Sequence, residues 1–140
     1  MALKITQAAR LLTVAFLLLV LTACAQYGVE KQVMDLDKAM RLYATAARWG
    51  DWDGVYRLHL PVENPPVPPE YLKTIRVTSY EELAPAQMTG ADTAARTVEL
   101  GYIEEETQKE TILRMKQQWR YDSENSFWGL DSPPPFAAHQ

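Results

Sequence analysis

One thiol, two imidazoles and a scatter of carboxylates are the groups in this 140-residue chain that could do covalent or acid–base chemistry. Cys24 has no second cysteine for a disulfide and no companions at metal-ligand spacing. His59 and His139 are too few nitrogen ligands for a zinc site. No serine stands in a Gly-x-Ser-x-Gly elbow, and the six glycines form no phosphate or dinucleotide loop. Asp51, Asp53 and Asp122 fall where elements should end, so capping explains them without catalysis. Glu104, Glu105 and Glu106 cluster where a hairpin tip should be, which is where solvated charge belongs.

What remains is chemistry suited to binding. Tyr102, Gln117, Trp119 and Tyr121 combine aromatic surface with polar tips on strand faces that should point inward, and such residues can line a cavity. Gln117 carries most of that reading. An amide among apolar neighbours costs free energy unless protein, water or ligand completes its hydrogen bonds, and a solid core would more readily use leucine. His59 joins the set by sharing a face with Trp52 and Val55. It reads either as a general acid or base lining a pocket or as a hydrogen-bonded histidine favoured by a helix C-terminus. No cofactor is expected.

The elements that must position these residues follow from periodicity. Val33, Leu36, Met40, Tyr43, Ala44 and Ala47 recur at spacings of three and four, predicting an amphipathic helix from Gly28 to Gly50. Asp51 can cap a second helix within 51–60. Five prolines in residues 61–71 exclude a regular helix or central strand and predict a rigid connector, with a polyproline ligand as the alternative. The period then drops to two. Strands are expected at 73–80, at 93–104 with Arg96, Val98, Leu100 and Tyr102 on one face, at 111–122 and at 127–130. In the third, Leu113, Met115, Gln117, Trp119 and Tyr121 alternate with Arg114, Lys116, Gln118 and Arg120, giving a core face and a solvent face.

Residues 1–23 differ from the rest. Lys4 and Arg10 precede an apolar run of about half the roughly 20 residues that a membrane-spanning helix needs, which is the layout of a secretory signal. The run ends at 21–24 in Leu-Thr-Ala-Cys, which resembles the lipobox of bacterial lipoproteins. That resemblance implies cleavage before Cys24, lipid on its thiol and anchorage to a membrane. Ala25 follows the cysteine. In Gram-negative lipoproteins an aspartate there commonly retains the protein at the inner membrane, so the resemblance implies the outer membrane, facing the periplasm. Several acyl chains at about 0.8 kcal/mol per buried methylene would hold the protein essentially permanently. Loss of residues 1–23 removes two cations and no acid, leaving 12 basic against 18 acidic side chains and a net charge of −6. Nucleic acid is not an expected partner.

Helices first and an antiparallel meander afterwards make an α+β order. The segments AMRLYATAARWGDWDGVYRLHLP, VELGYIEEETQKETILRMKQQWRYD and FWGL also resemble the opening helices, long hairpin and closing strand of NTF2-like domains. The resemblance implies N-terminal helices packed on a curved antiparallel sheet, the NTF2-like cone, over residues 31–132. Residues 24–30 would be a lipidated tether and 133–140 a flexible tail. Members of this class include isomerases and dehydratases as well as proteins that only bind ligands or dimerise, so the fold does not decide function. An isomerase would need a carboxylate base beside a tyrosine oxyanion donor. The expectation is a non-enzymatic protein whose partner is a small apolar ligand, a second copy or an envelope protein. An isomerase-like or dehydratase-like enzyme and a structural envelope subunit are the alternatives.

Overall fold

The structure is a computed structural model that describes residues 2–137, with the side chains of residues 2–6, 8, 9, 11 and 20–26 left aside. Cys24, the expected lipidation site, and His139 therefore lie outside the described side chains. The chain forms two compact units, residues 1–36 and residues 37–140. The first unit is helical throughout its described length. Helix α1 (Ala2–Arg48) starts at the N-terminus and not near Gly28. An interior glycine costs about 1 kcal/mol of helix propensity, and the neighbours of Gly28 are not breakers. Among the described residues no helix is long and apolar enough to cross a membrane.

The second unit is α+β. Its helical part presents Ala39, Met40, Tyr43 and Ala47, the buried stripe of α1. Gly50 ends that helix with φ +65°, the left-handed conformation that glycine adopts without steric cost. Asp51 accepts a hydrogen bond from the Gly54 amide at 3.0 Å and caps α2 (Trp52–Arg57), as expected. The sheet comprises β1 (Ile75–Glu82), β2 (Gln87–Met88), β3 (Thr93–Glu104), β4 (Glu110–Asp122) and β5 (Phe127–Leu130). Its order is β1-β3-β4-β5, antiparallel throughout, with β2 paired to β3 beside β1. The register slips between Val77 and Ser79, opposite Gly101, where a Cβ would stand 2.4 Å from the Ser79 hydroxyl. A bulge of this kind bends the edge strand.

Three expectations are corrected. Lys73 and Thr74 do not begin β1, because a 3₁₀ turn (Glu70–Thr74) precedes it. That turn is closed by Thr74 Oγ1 donating to the Tyr71 carbonyl at 2.7 Å. His59 is hydrogen-bonded just past the end of α2, as one of its two readings has it, but burial and not the helix dipole governs its charge. Helix α2 stops at Arg57 because the following backbone is drawn to β5: the Leu60 amide donates to the Leu130 carbonyl and the Leu130 amide to the Leu58 carbonyl. Residues 133–137, expected as tail, are packed. Tyr56 donates to the Pro135 carbonyl and Tyr71 to the Phe136 carbonyl, each at 2.8 Å. The Phe136 ring meets Trp52 and Tyr102 edge-on at 5.6 and 5.0 Å. Its buried aromatic area is what holds the segment.

Candidate functional site

The β3–β4 register places Arg96 opposite Gln117 on the inner face of the sheet. The Arg96 side chain is 3% exposed, and a guanidinium does not shed its charge, so burial obliges it to find partners. It finds them on three elements. Nε donates to Gln117 Oε1 at 2.7 Å, Nη1 to Glu82 Oε2 at 2.7 Å, and Nη2 to the Tyr80 hydroxyl at 2.9 Å and the Met40 carbonyl at 3.4 Å. The guanidinium carbon also lies 5.7 Å from the Trp119 ring centroid, within cation–π range. Glu82 supplies the countercharge from a site 40% open to solvent.

Tyr43 of α1 stands at the centre of this face. Its ring lies 6.0 Å from Trp119, 6.1 Å from His59 and 6.2 Å from Tyr80. Burial pushes the Tyr43 hydroxyl far above the ordinary tyrosine pKa. Tyr80 adds to the rise, while Gln117 and Arg96 oppose it. Tyr80 is raised by burial against the opposing pull of Arg96. His59 is lowered to about 4 by burial, with the Ser132 carbonyl opposing. That carbonyl only accepts, so the 3.0 Å contact assigns the proton to Nδ1 and leaves Nε2 as an acceptor. His59 is thus neutral at pH 7. Among the described residues three buried side-chain nitrogens have no partner in bonding geometry: His59 Nε2, Gln117 Nε2 and Trp119 Nε1.

The residues read from sequence as a lining fall in three places. Trp119, Gln117 and His59 gather around Tyr43. Tyr102 pairs with Thr111, six residues along β3 from Arg96, or about 20 Å at the usual rise. It packs on Phe136. Tyr121 is half-buried and packs on Trp128 at 5.5 Å. Arg96, Glu82, Tyr80 and Tyr43 were not singled out as site residues from sequence. Arg96 could have been, since a cation alternating with Val98, Leu100 and Tyr102 on an inward face must have partners.

The open concave surface lies elsewhere. A groove of about 760 Å³ runs between the end of α1, the proline-rich connector and β1. Arg48, Lys73 and Arg76 line it together with Asp51, Asp53, Glu70 and Glu105. Trp49 stands at its rim, 84% exposed, and also borders two smaller depressions of about 380 and 350 Å³. Val67, 82% exposed, Pro68 and Pro69 also line the groove. Among the described residues no group of three or more His, Cys, Asp or Glu side chains could hold a metal ion.

No protein-family model matches the chain, and no curated protein gives a significant match. A solved structure similar to it is that of a ketosteroid isomerase-like protein from Erwinia carotovora atroseptica, at 17% identity and a TM-score of 0.47. The likeness covers 71% of this chain and 96% of that one. The α+β class given above rests on the chain's own helices, strands and register.

Proposed function

We propose that the chain is a non-enzymatic binding protein. Lipid on Cys24 would anchor it to a bacterial outer membrane on the periplasmic face, and its NTF2-like domain would receive a guest beside the sheet, in the groove at Trp49. One observation carries the reading. Trp49 keeps 84% of its surface exposed at the rim of a 760 Å³ groove, whereas the inner face spends its cation on Gln117, Glu82 and Tyr80. Exposed tryptophan is among the residues most often found anchoring interfaces. Glu82, the carboxylate that reaches the inner face, is ion-paired to Arg96 and supplies no free base beside a tyrosine.

Anchorage rests on the Leu-Thr-Ala-Cys motif at 21–24 after a short apolar run. Wild-type protein should take up labelled fatty acid and Cys24→Ser should not, and a wild type that stays unlabelled would remove the anchor from this reading. For the groove, a photoreactive amino acid placed at Trp49 in living bacteria should give an adduct. The same group at Ile112, 65% exposed on the sheet, should give none. Equal labelling at the two positions, or none at either, would count against the groove.

A further inference from the structure

We infer that the guest of the Trp49 groove is a second copy of this chain, each copy laying its Trp49 on the proline run of the other; this rests on the groove reading above. The two halves of such a clasp line one groove. One is the indole of Trp49, 84% exposed beside the Gly50 turn. The other is the end of Pro-Pro-Val-Pro-Pro, 65–69, whose residues 67–69 line the groove and whose conformation is fixed by covalent structure. Each proline locks its own φ, and each residue before a proline is pushed to extended ψ, so 64–69 are constrained throughout. Pro69, with φ −63° and ψ 145°, has polyproline II geometry. A preformed extended proline segment loses little entropy on docking, and aromatic-lined grooves are its usual receptors.

A two-fold interface demands a patch complementary to itself. This groove meets the demand twice. It carries both the aromatic and its proline counterpart in its lining, so a two-fold axis through it would seat both contacts at once. It also sets three cations against four carboxylates, near balance in a chain of net charge −4. Two copies can therefore meet here without the repulsion that the whole surface would give. The groove is smaller than a standard interface of about 20–30 residues per side, so the free association is expected to be weak. Two copies tethered to one membrane surface would meet at a much higher effective concentration.

The test is sedimentation of the full-length chain in detergent over a range of concentrations. Wild type should pass from monomer to dimer. Trp49→Ala and Pro68→Ala should each weaken the dimer at least tenfold, and Ile112→Ala should leave it unchanged. Mixing the two weakened variants should restore association, because the heterodimer keeps one intact tryptophan–proline contact, a rescue that a merely misfolded variant would not show. A chain monomeric at every concentration, a dimer indifferent to Trp49→Ala, or one weakened by Ile112→Ala would overturn the inference. The groove reading is judged apart from this. If the chain stays monomeric but a synthetic peptide of residues 61–71 shifts Trp49 emission, the groove takes a proline-rich segment of another protein and self-association is refuted. If Trp49 labels in cells with an adduct whose mass is not that of a dimer, the groove stands and the second copy falls.

Discussion

Trp119 and Trp49 sit on the same domain under opposite conditions, 1% and 84% exposed. Around Trp119 the buried charge has been drawn into the fold, while Trp119 Nε1, Gln117 Nε2 and His59 Nε2 stay unpartnered. The Arg96 guanidinium is shared among Gln117, Glu82, Tyr80 and Met40, and the rings of Tyr43 and Trp119 meet at 80°. Trp49 instead keeps most of its surface in solvent at the rim of the groove. The difference shows where binding capacity survives folding. A charge taken out of water must be satisfied internally or it destabilises the fold, and once satisfied it has little left to offer a guest. An aromatic at the rim of a groove costs the fold little and remains available.

Five measurements can break or sharpen this contrast. The largest effect is expected at Trp119. Trp119→Ala should cost about 3–5 kcal/mol in urea unfolding, the usual range for emptying a buried aromatic site. A loss under about 1 kcal/mol would mean that the inner face is not the core.

Arg96→Ala should follow at about 3 kcal/mol, since it removes the shared partner of Gln117 and Tyr80, with the partial exposure of Glu82 softening the loss. Gln117→Leu should cost about 1–3 kcal/mol by stripping Nε of its acceptor, and the two changes should be less than additive. A stabilised Gln117→Leu would show instead that the amide stood in hydrated space.

Acid should act through His59. Its folded pKa of about 4 lies below the ordinary 6.5, so between those values the unfolded chain binds a proton that the native chain refuses. Stability must therefore fall as pH drops from about 6.5 to 4 and level off below, with about 3 kcal/mol lost in total through this group. His59→Gln should flatten that portion of the pH profile, and an unchanged slope would assign it to other groups.

The smallest effect belongs to the other region. Trp49→Ala should change stability by no more than about 0.5 kcal/mol, as exposed positions usually do. A loss of 2 kcal/mol or more would make Trp49 a packing residue and erase the contrast with Trp119.

Much of the framework could be read from local pattern. Alternation marked out β3 at its observed ends and β4 to within one residue, because a strand with one wet face repeats every two residues, whereas β5 is legible from its place after the turn at 122–126. Gly50 and Asp51 marked the break between the helices because turn and cap chemistry are local. The same logic failed at Lys73, where a 3₁₀ turn held by Thr74 delays the strand, and at His59, where β5 pulls the chain out of helix.

The sequence by itself determined that a helix with a Met40, Tyr43 and Ala47 stripe would precede strands with Arg96, Gln117 and Trp119 on inward faces. It also determined that 64–69 would be extended, through the covalent geometry of proline. The tertiary structure alone decided which of these residues meet. The β3–β4 register set Gln117 against Arg96 and carried Tyr102 away to Phe136. The chain path brought Met40, Tyr80 and Glu82 to one guanidinium and put Trp49 and Pro68 in the lining of one groove. Periodicity is a property of neighbours along the chain and assigns a face. Partners on that face lie far apart in the chain, 56 residues for Arg96 and Met40 and more for Tyr43 and Trp119, and are chosen by register and packing.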